Sequence, residues 1–390
     1  MAQTLAERLK GRQNNFDLLR FVAAGLVIVS HSFALAGYPE PMVGKTTLGT
    51  LAVAIFFIMS GFLIAQSWVQ HPRMAAFLGK RVLRIVPGLA GVLVFSVFVL
   101  GPAFTSLTRQ AYFASADTFS YLNGIFIYTI GSMLPGVFAG NPLGYAINGS
   151  LWTLPYEFTA YLLVALLSGL ALLRRHRAGW IVVFALFLPL NYVLRRWAPE
   201  LHLPFFNLDV GIIAHLTAYF VGGTLLYVFR QRVRLSAGLA WAALAVFAVS
   251  SAWPLAWLYL SYLTLPYLII YLAFMQAGRL ANFGRYGDFS YGLYIYAFPV
   301  QQALVAGTPG ISPLRLMALA FPITLALAIC SWHLIEAPAL RLKRYFGTER
   351  YPLLQPQLAY APQPQPTPDA EPATSSLPLP TAPAIGLPSD

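Results

Sequence analysis

Arg20 and His31 are the first side chains in the sequence whose types and spacing could do chemistry. They bracket the start of an apolar stretch, Phe21 to Tyr38, with Asp17 just ahead of it. At about 100° and 1.5 Å per residue, their spacing puts both on one face of a helix, roughly 16 Å apart along its axis. A neutral imidazole can take a proton from a hydroxyl, and a guanidinium can hold a phosphate or polarise a carbonyl. Keeping them in hydrocarbon costs on the order of 2.5–3.5 kcal/mol for an Arg at a helix centre. A helix that accepts this cost usually faces a cavity, so the face is read as lining an active site. The plainer alternative sets Arg20 at lipid headgroups and His31 in a helix contact.

Other polar groups recur inside apolar runs. Arg81 and Arg84 are three apart at the start of a helix, with Pro87 tolerated in its first turn, and such a guanidinium pair suits a phosphate or pyrophosphate. Topology and contact with lipid phosphate are the competing explanation. Ser60 and Gly61 sit among bulky residues, where small side chains admit either a neighbouring helix or an elongated ligand. Glu157 lies about seven residues in from the outer end of its span, as His31 does in its own, which places both ~10 Å below one surface. A carboxylate at that depth could orient the imidazole. His215 reads as a satisfied structural histidine, and His333 with Glu336 as a polar contact at a helix end. The run Tyr291, Tyr294, Tyr296 and Phe298 would stack on a sugar or nucleotide, or simply pack between helices. A metal site is not expected, because carboxylates are few and the histidines lack ligand spacing.

The elements that must hold these groups are membrane helices. Of 390 residues, 58% are hydrophobic and 10% charged, against about 25% charged in soluble domains. The apolar runs are too long for barrel strands. The expected fold is an all-α polytopic membrane protein of about ten transmembrane helices, roughly at 21–38, 48–69, 85–107, 150–172, 179–194, 210–229, 235–251, 252–276, 289–307 and 316–335. With the N-terminus inside, Lys and Arg fall in inner loops except Lys45, Arg109, Arg195, Arg196 and Arg315, with Arg20 at the membrane edge. Both termini are therefore expected in the cytoplasm. If 120–138 spanned, later basic loops would face outward, so it is expected to be re-entrant or interfacial. Residues 1–16 read as a cytoplasmic leader with no cleavable signal, and 351–390 as a disordered, Pro-rich cytoplasmic tail. The net charge of +12 sits in short loops, which argues against nucleic acid as a partner, and the single Cys330 permits no intrachain disulfide.

In this order, the fragments Asp17-x-x-Arg20, Arg20-x10-His31, Phe56-Phe57-x-x-Ser60-Gly61-Phe62-Leu63, Arg81-x-x-Arg84-x-x-Pro87, Asn148-x-x-Leu151-Trp152-x-Leu154-x-x-Glu157, Ser290-Tyr291-Gly292-Leu293-Tyr294 and Glu336-x-Pro338 resemble the acyltransferase-3 family of integral-membrane O-acyltransferases over about residues 15–345. Each fragment is a weak motif; the ordered set is strong. The resemblance implies a transmembrane acyltransferase domain over 17–345 in a bacterial inner membrane. It implies transfer of an acetyl or other short acyl group from acyl-CoA to a hydroxyl of a cell-envelope or exported carbohydrate or glycolipid. No bound cofactor is implied, acetyl-CoA being a co-substrate. Many relatives carry a His where this chain has Ala297.

On that likeness Arg20 and His31 are the essential pair; from the chemistry required, His31 is expected to act as general base with Glu157 orienting it. Arg81 and Arg84, with Ser60 and Gly61, lie on the donor side. Trp152, Tyr156 and Tyr294 are assigned to the acceptor. A tunnel joining a cytosolic thioester to an outward-facing alcohol is expected. The main alternative is a multi-spanning transporter or flippase of lipid-linked saccharides, with the buried charges on a transport path; a scaffold using the Pro-rich tail is a third.

Overall fold

Apolar runs in lipid leave the backbone little choice but to satisfy its N–H and C=O groups within helices, and the computed structural model of the chain is built mainly of helices. It describes residues 3–346 except 12, 71, 145, 170–176, 205, 207 and 276–282. The expected Pro-rich tail lies outside the described residues. A short helix α1 (Leu5–Arg8) precedes α2 (Phe16–Leu35), α3 (Leu48–Gln70) and α4 (Met74–Phe95). Then come α5 (Thr153–Gly169), α6 (Arg177–Trp197), α7 (Val210–Val228), α8 (Ala237–Ser250), α9 (Pro254–Phe274), α10 (Ser290–Gly307) and α11 (Pro313–Ser331).

Among the described residues, seven helices are long and apolar enough to cross a membrane: α2, α3, α4 continued to Phe104, α6 from Ala178, α7, α9, and α11 continued to Phe346. Helices α5 and α8 are apolar but shorter. Helix α10 carries Gln301 and Gln302, both fully buried. It packs against α2, α4 and α11, and a helix so surrounded can hold polar groups that a lipid-facing one cannot. Gln301 uses its amide to reach the Ile28 carbonyl (2.8 Å) and Ser32 (2.7 Å) on α2. The architecture is an all-α polytopic membrane protein.

The tightest helix pair is α3 with α7, and small residues explain it. A Cβ on Gly61 would overlap the Phe220 carbonyl, and one on Gly223 would overlap the Ile58 carbonyl. Thr224 donates to the Gly61 carbonyl at 3.1 Å. In lipid, helices gain little from burying apolar surface against each other, so close backbone approach and such hydrogen bonds hold the pair.

The leader is docked against the bundle. Gln3 and Thr4 pair antiparallel with Arg234 and Leu235, Leu5 is fully buried, and Thr4 and Glu7 form a reciprocal cap on α1. Asn15 then gives its side-chain amide to the carbonyls of Leu272 (2.9 Å) and Met275 (2.7 Å) at the C-terminus of α9.

Between α4 and α5 no spanning helix forms. The 120–138 stretch is a 3-10 turn at Tyr121–Phe126 followed by irregular chain, and Gly124 lies against Leu93 of α4, below the end of that helix. A second irregular segment, 141–152, descends along α10. Asn141 bonds Gln302, Gln302 bonds the Ala146 carbonyl, Asn148 bonds the Ile295 carbonyl, and Tyr294 bonds the Ser150 carbonyl. From Gln302 to Tyr294 is about 12 Å of helix. Buried polar partners along the way satisfy this non-helical backbone, as membrane depth requires.

Candidate active site

Five charged groups meet where α2 begins, which we call the near end of the bundle. Arg20, in the second turn of α2, lies 3.5 Å from Asp17 and 3.6 Å from Asp288. Arg84 of α4 pairs with the same Asp288 oxygen and stands 4.0 Å from Glu336. Asp288 is in the turn before α10 and also accepts from the Ser290 hydroxyl and its N–H (3.2 Å). Burial opposes its charge, but Arg84, Arg20 and Ser290 outweigh it and hold the carboxyl well below the usual carboxylate range. One carboxylate thus fixes two guanidiniums from two helices.

Glu336 reaches this cluster because the chain after α11 widens into a π-turn, Trp332–Glu336. Such turns insert an extra residue and re-aim a side chain. Glu336 is 2% exposed, accepts from Ser331 at 2.9 Å, and keeps its other oxygen buried without a hydrogen bond. The expected His333–Glu336 contact is corrected: the π-turn leaves His333 exposed while Glu336 faces Arg84.

Glu157 occupies a second polar station. Its Oε1 accepts from Ser60 of α3 at 2.9 Å and from Tyr161 one turn along α5. Arg81 donates to Ser67 of α3 at 2.9 Å and lies over Phe77, while Arg84 lies over Tyr291. Arg81 and Arg84 thus lie over different aromatic rings.

The expected depth match between His31 and Glu157 is also corrected. Ser30, beside His31, accepts from the Gly49 N–H at 2.8 Å, at the start of α3, and donates to Glu40. Glu157 bonds Ser60, eleven residues further along the same helix, roughly 16 Å away. The reason is the descending segment 141–152: α5 starts already deep in the bundle, so counting from its first residue misjudges depth.

His31 turns inward at the far end. Its ring meets Phe298 of α10 edge-on at 5.2 Å, Phe298 is 5% exposed, and His31 Nδ1 is buried without a hydrogen-bond partner. An unpaired buried nitrogen is costly in a purely structural position. His215, in contrast, is tied to Asn191 (3.1 Å) and Tyr262 and packs as a structural residue.

Of the residues assigned to ligands, Gly61 is corrected outright. Its open face is filled by α7, so it serves helix packing and leaves no room for a donor. Tyr294 is buried and bonded to Thr153 (2.7 Å) and the Ser150 carbonyl (2.9 Å), holding α10 to the start of α5. Trp152 is 45% exposed and packs on Tyr156, whose hydroxyl accepts from the Asp209 N–H at 3.1 Å. Asp288, Tyr161 and the role of Glu336 were missed. The available signal was scarcity: with only 13 Asp and Glu in the chain, a carboxylate beside a membrane motif is expensive wherever it falls.

A family described as an acyltransferase domain matches residues 13–333. The chain is 32% identical over 334 residues to an O-acetyl transferase of Shigella phage Sf6, covering 83% of this chain and 95% of that one. It is 29% identical over 366 residues to Nodulation protein 10 of Rhizobium leguminosarum bv. viciae, covering 86% and 96%. No solved structure matches.

Proposed function

The chain belongs to the acyltransferase-3 family, matched over residues 13–333, and from that premise we propose that this membrane acyltransferase carries an acetyl group from acetyl-CoA to a hydroxyl of a cell-envelope or exported carbohydrate. The observation that carries the reading is α2 itself. One continuous helix bears Arg20 in the ion cluster at the near end and His31, with its unpartnered Nδ1, toward the far end.

The near end faces the cytoplasm of a bacterial inner membrane, and the shorter α5 and α8 together with α10 join the seven long apolar helices to make ten crossings. The Lys and Arg of the loops at that end support this orientation. Donor phosphates are drawn to Arg20, Arg81 and Arg84, and the pantetheine arm extends along α2 by roughly the 16 Å between Arg20 and His31. The acceptor oxygen attacks the thioester carbonyl while His31 takes the hydroxyl proton. The C–O bond forms, the C–S bond breaks, and the proton passes to the departing CoA thiolate. Glu157, with Ser60 and Tyr161, is a polar station on the passage and does not orient the imidazole. Trp152 and Tyr156 offer an aromatic face to the acceptor at the far side.

Membranes carrying the wild type or His31→Ala are incubated with radiolabelled acetyl-CoA and the label is followed into envelope glycans. Loss of transfer with retained acetyl-CoA thermal stabilisation of the purified variant is expected. Normal transfer by His31→Ala overturns the base assignment, and a wild type not stabilised by acetyl-CoA overturns the donor.

A further inference from the structure

A groove of about 500 Å³ opens at the far end of the bundle, within the size range of small-ligand sites. It lies apart from the ion cluster and from Trp152. Its walls come from the end of the α4 continuation at Phe104–Ser106, from irregular chain at 136–142, and from the turn after α10. Among the described residues, no Asp, Glu, Lys, Arg or His lines it. What it offers is hydroxyl and amide chemistry beside aromatic rings. Ser106 is exposed, Asn141 spends its amide N–H groups on Gln302 and keeps a carbonyl oxygen as acceptor, and Phe104 packs against Phe138 at 5.3 Å.

Backbone strain marks the same groove independently. Phe138 has φ +56°, and Gly136 (φ +68°) and Gly310 (φ +75°) adopt the left-handed region beside it. A buried Phe in that region is rare and costs of order 1–3 kcal/mol, and such residues gather at ligand sites. The groove also lies near His31. Phe298, against the His31 ring, and Val305, in the groove wall, are seven residues apart on one stripe of α10, about 10 Å. Both belong to one small apolar cluster with Leu35 and Ile311.

We infer that this groove holds uncharged sugar residues of the acceptor, next to the residue that is acylated; this rests on the carbohydrate acceptor proposed above. Neutral pyranose rings fit the chemistry: a C–H face lies on the half-buried Phe104, which packs on the buried Phe138, and the hydroxyls meet Ser106 and Asn141. An anionic glycan would find no cation there.

The test separates this site from the reaction. Gly140 lines the groove and a Cβ there meets nothing, so Gly140→Trp adds bulk at the groove with no clash at Cβ; Gly238 on α8 is equally open and does not line it. Saturation-transfer NMR on detergent-purified protein, with cellotriose, chitotriose, mannotriose and trigalacturonate, reads binding without catalysis. Signal from at least one neutral trisaccharide is expected in the wild type, Gly238→Trp and His31→Ala, with a loss of at least tenfold in Gly140→Trp and none from trigalacturonate. Acetyl-CoA stabilisation of Gly140→Trp, unchanged from the wild type, shows that the variant is folded. No neutral signal in the wild type, or signal that survives Gly140→Trp, overturns the groove. A wild type that binds in this way yet transfers no acetyl group instead overturns the proposed reaction.

Discussion

Asp288 shows what a single residue does here. It neutralises Arg20 and Arg84 together from a partly buried turn, and removing it leaves uncompensated charge, at a cost below the ~3–5 kcal/mol of a fully buried pair. Asp288→Asn should therefore lower the thermal stability of the purified protein and raise the KM for acetyl-CoA; unchanged values in both measurements refute its role. The sign of the pH dependence follows from its depressed carboxyl. Stability from this group is complete above the ordinary carboxylate value, about 3.9, and is lost only as pH falls toward about 2. Asp288 therefore keeps its charge throughout pH 5 to 8. His31→Gln should lose about 10²–10⁴-fold in turnover while acetyl-CoA thermal stabilisation is retained, and wild-type turnover by His31→Gln refutes the base assignment.

At the scale of elements, two backbone features decide whether side chains meet. The α3–α7 contact leaves no space at Gly61, so Gly61→Ala forces the helices apart at a cost of about 1–3 kcal/mol. A lower melting temperature in detergent is the expected result, and Gly140→Ala, which meets nothing, is the neutral control. The π-turn at Trp332–Glu336 is the second. Glu336→Ala removes the carboxylate that this turn aims at Arg84, and it should lower transfer strongly while leaving expression intact. A Glu336→Ala variant with wild-type transfer shows that Arg84 does not need this partner.

For the molecule as a whole, the proposed orientation is open to direct labelling. With Cys330→Ser as background, the only cysteine is removed. Lys45→Cys should then react with an impermeant maleimide in intact cells, and Arg232→Cys only after permeabilisation; the reverse pattern inverts the topology. Much of this chain was legible before folding, because lipid imposes long apolar helices and makes each polar group among them conspicuous. Arg20, His31, Arg84 and Glu157 stood out for that reason, and the Arg20–His31 spacing survives because both lie on one uninterrupted helix. Spacing within a helix is set by local geometry. The relation between helices is not: the descent of 141–152 beside α10 separated Glu157 from His31, the π-turn brought Glu336 to Arg84, and Asp288 joined residues more than 200 positions apart. Sequence determined which groups were costly enough to matter; only tertiary structure decided which of them meet, because irregular backbone and helix packing carry no periodic signal.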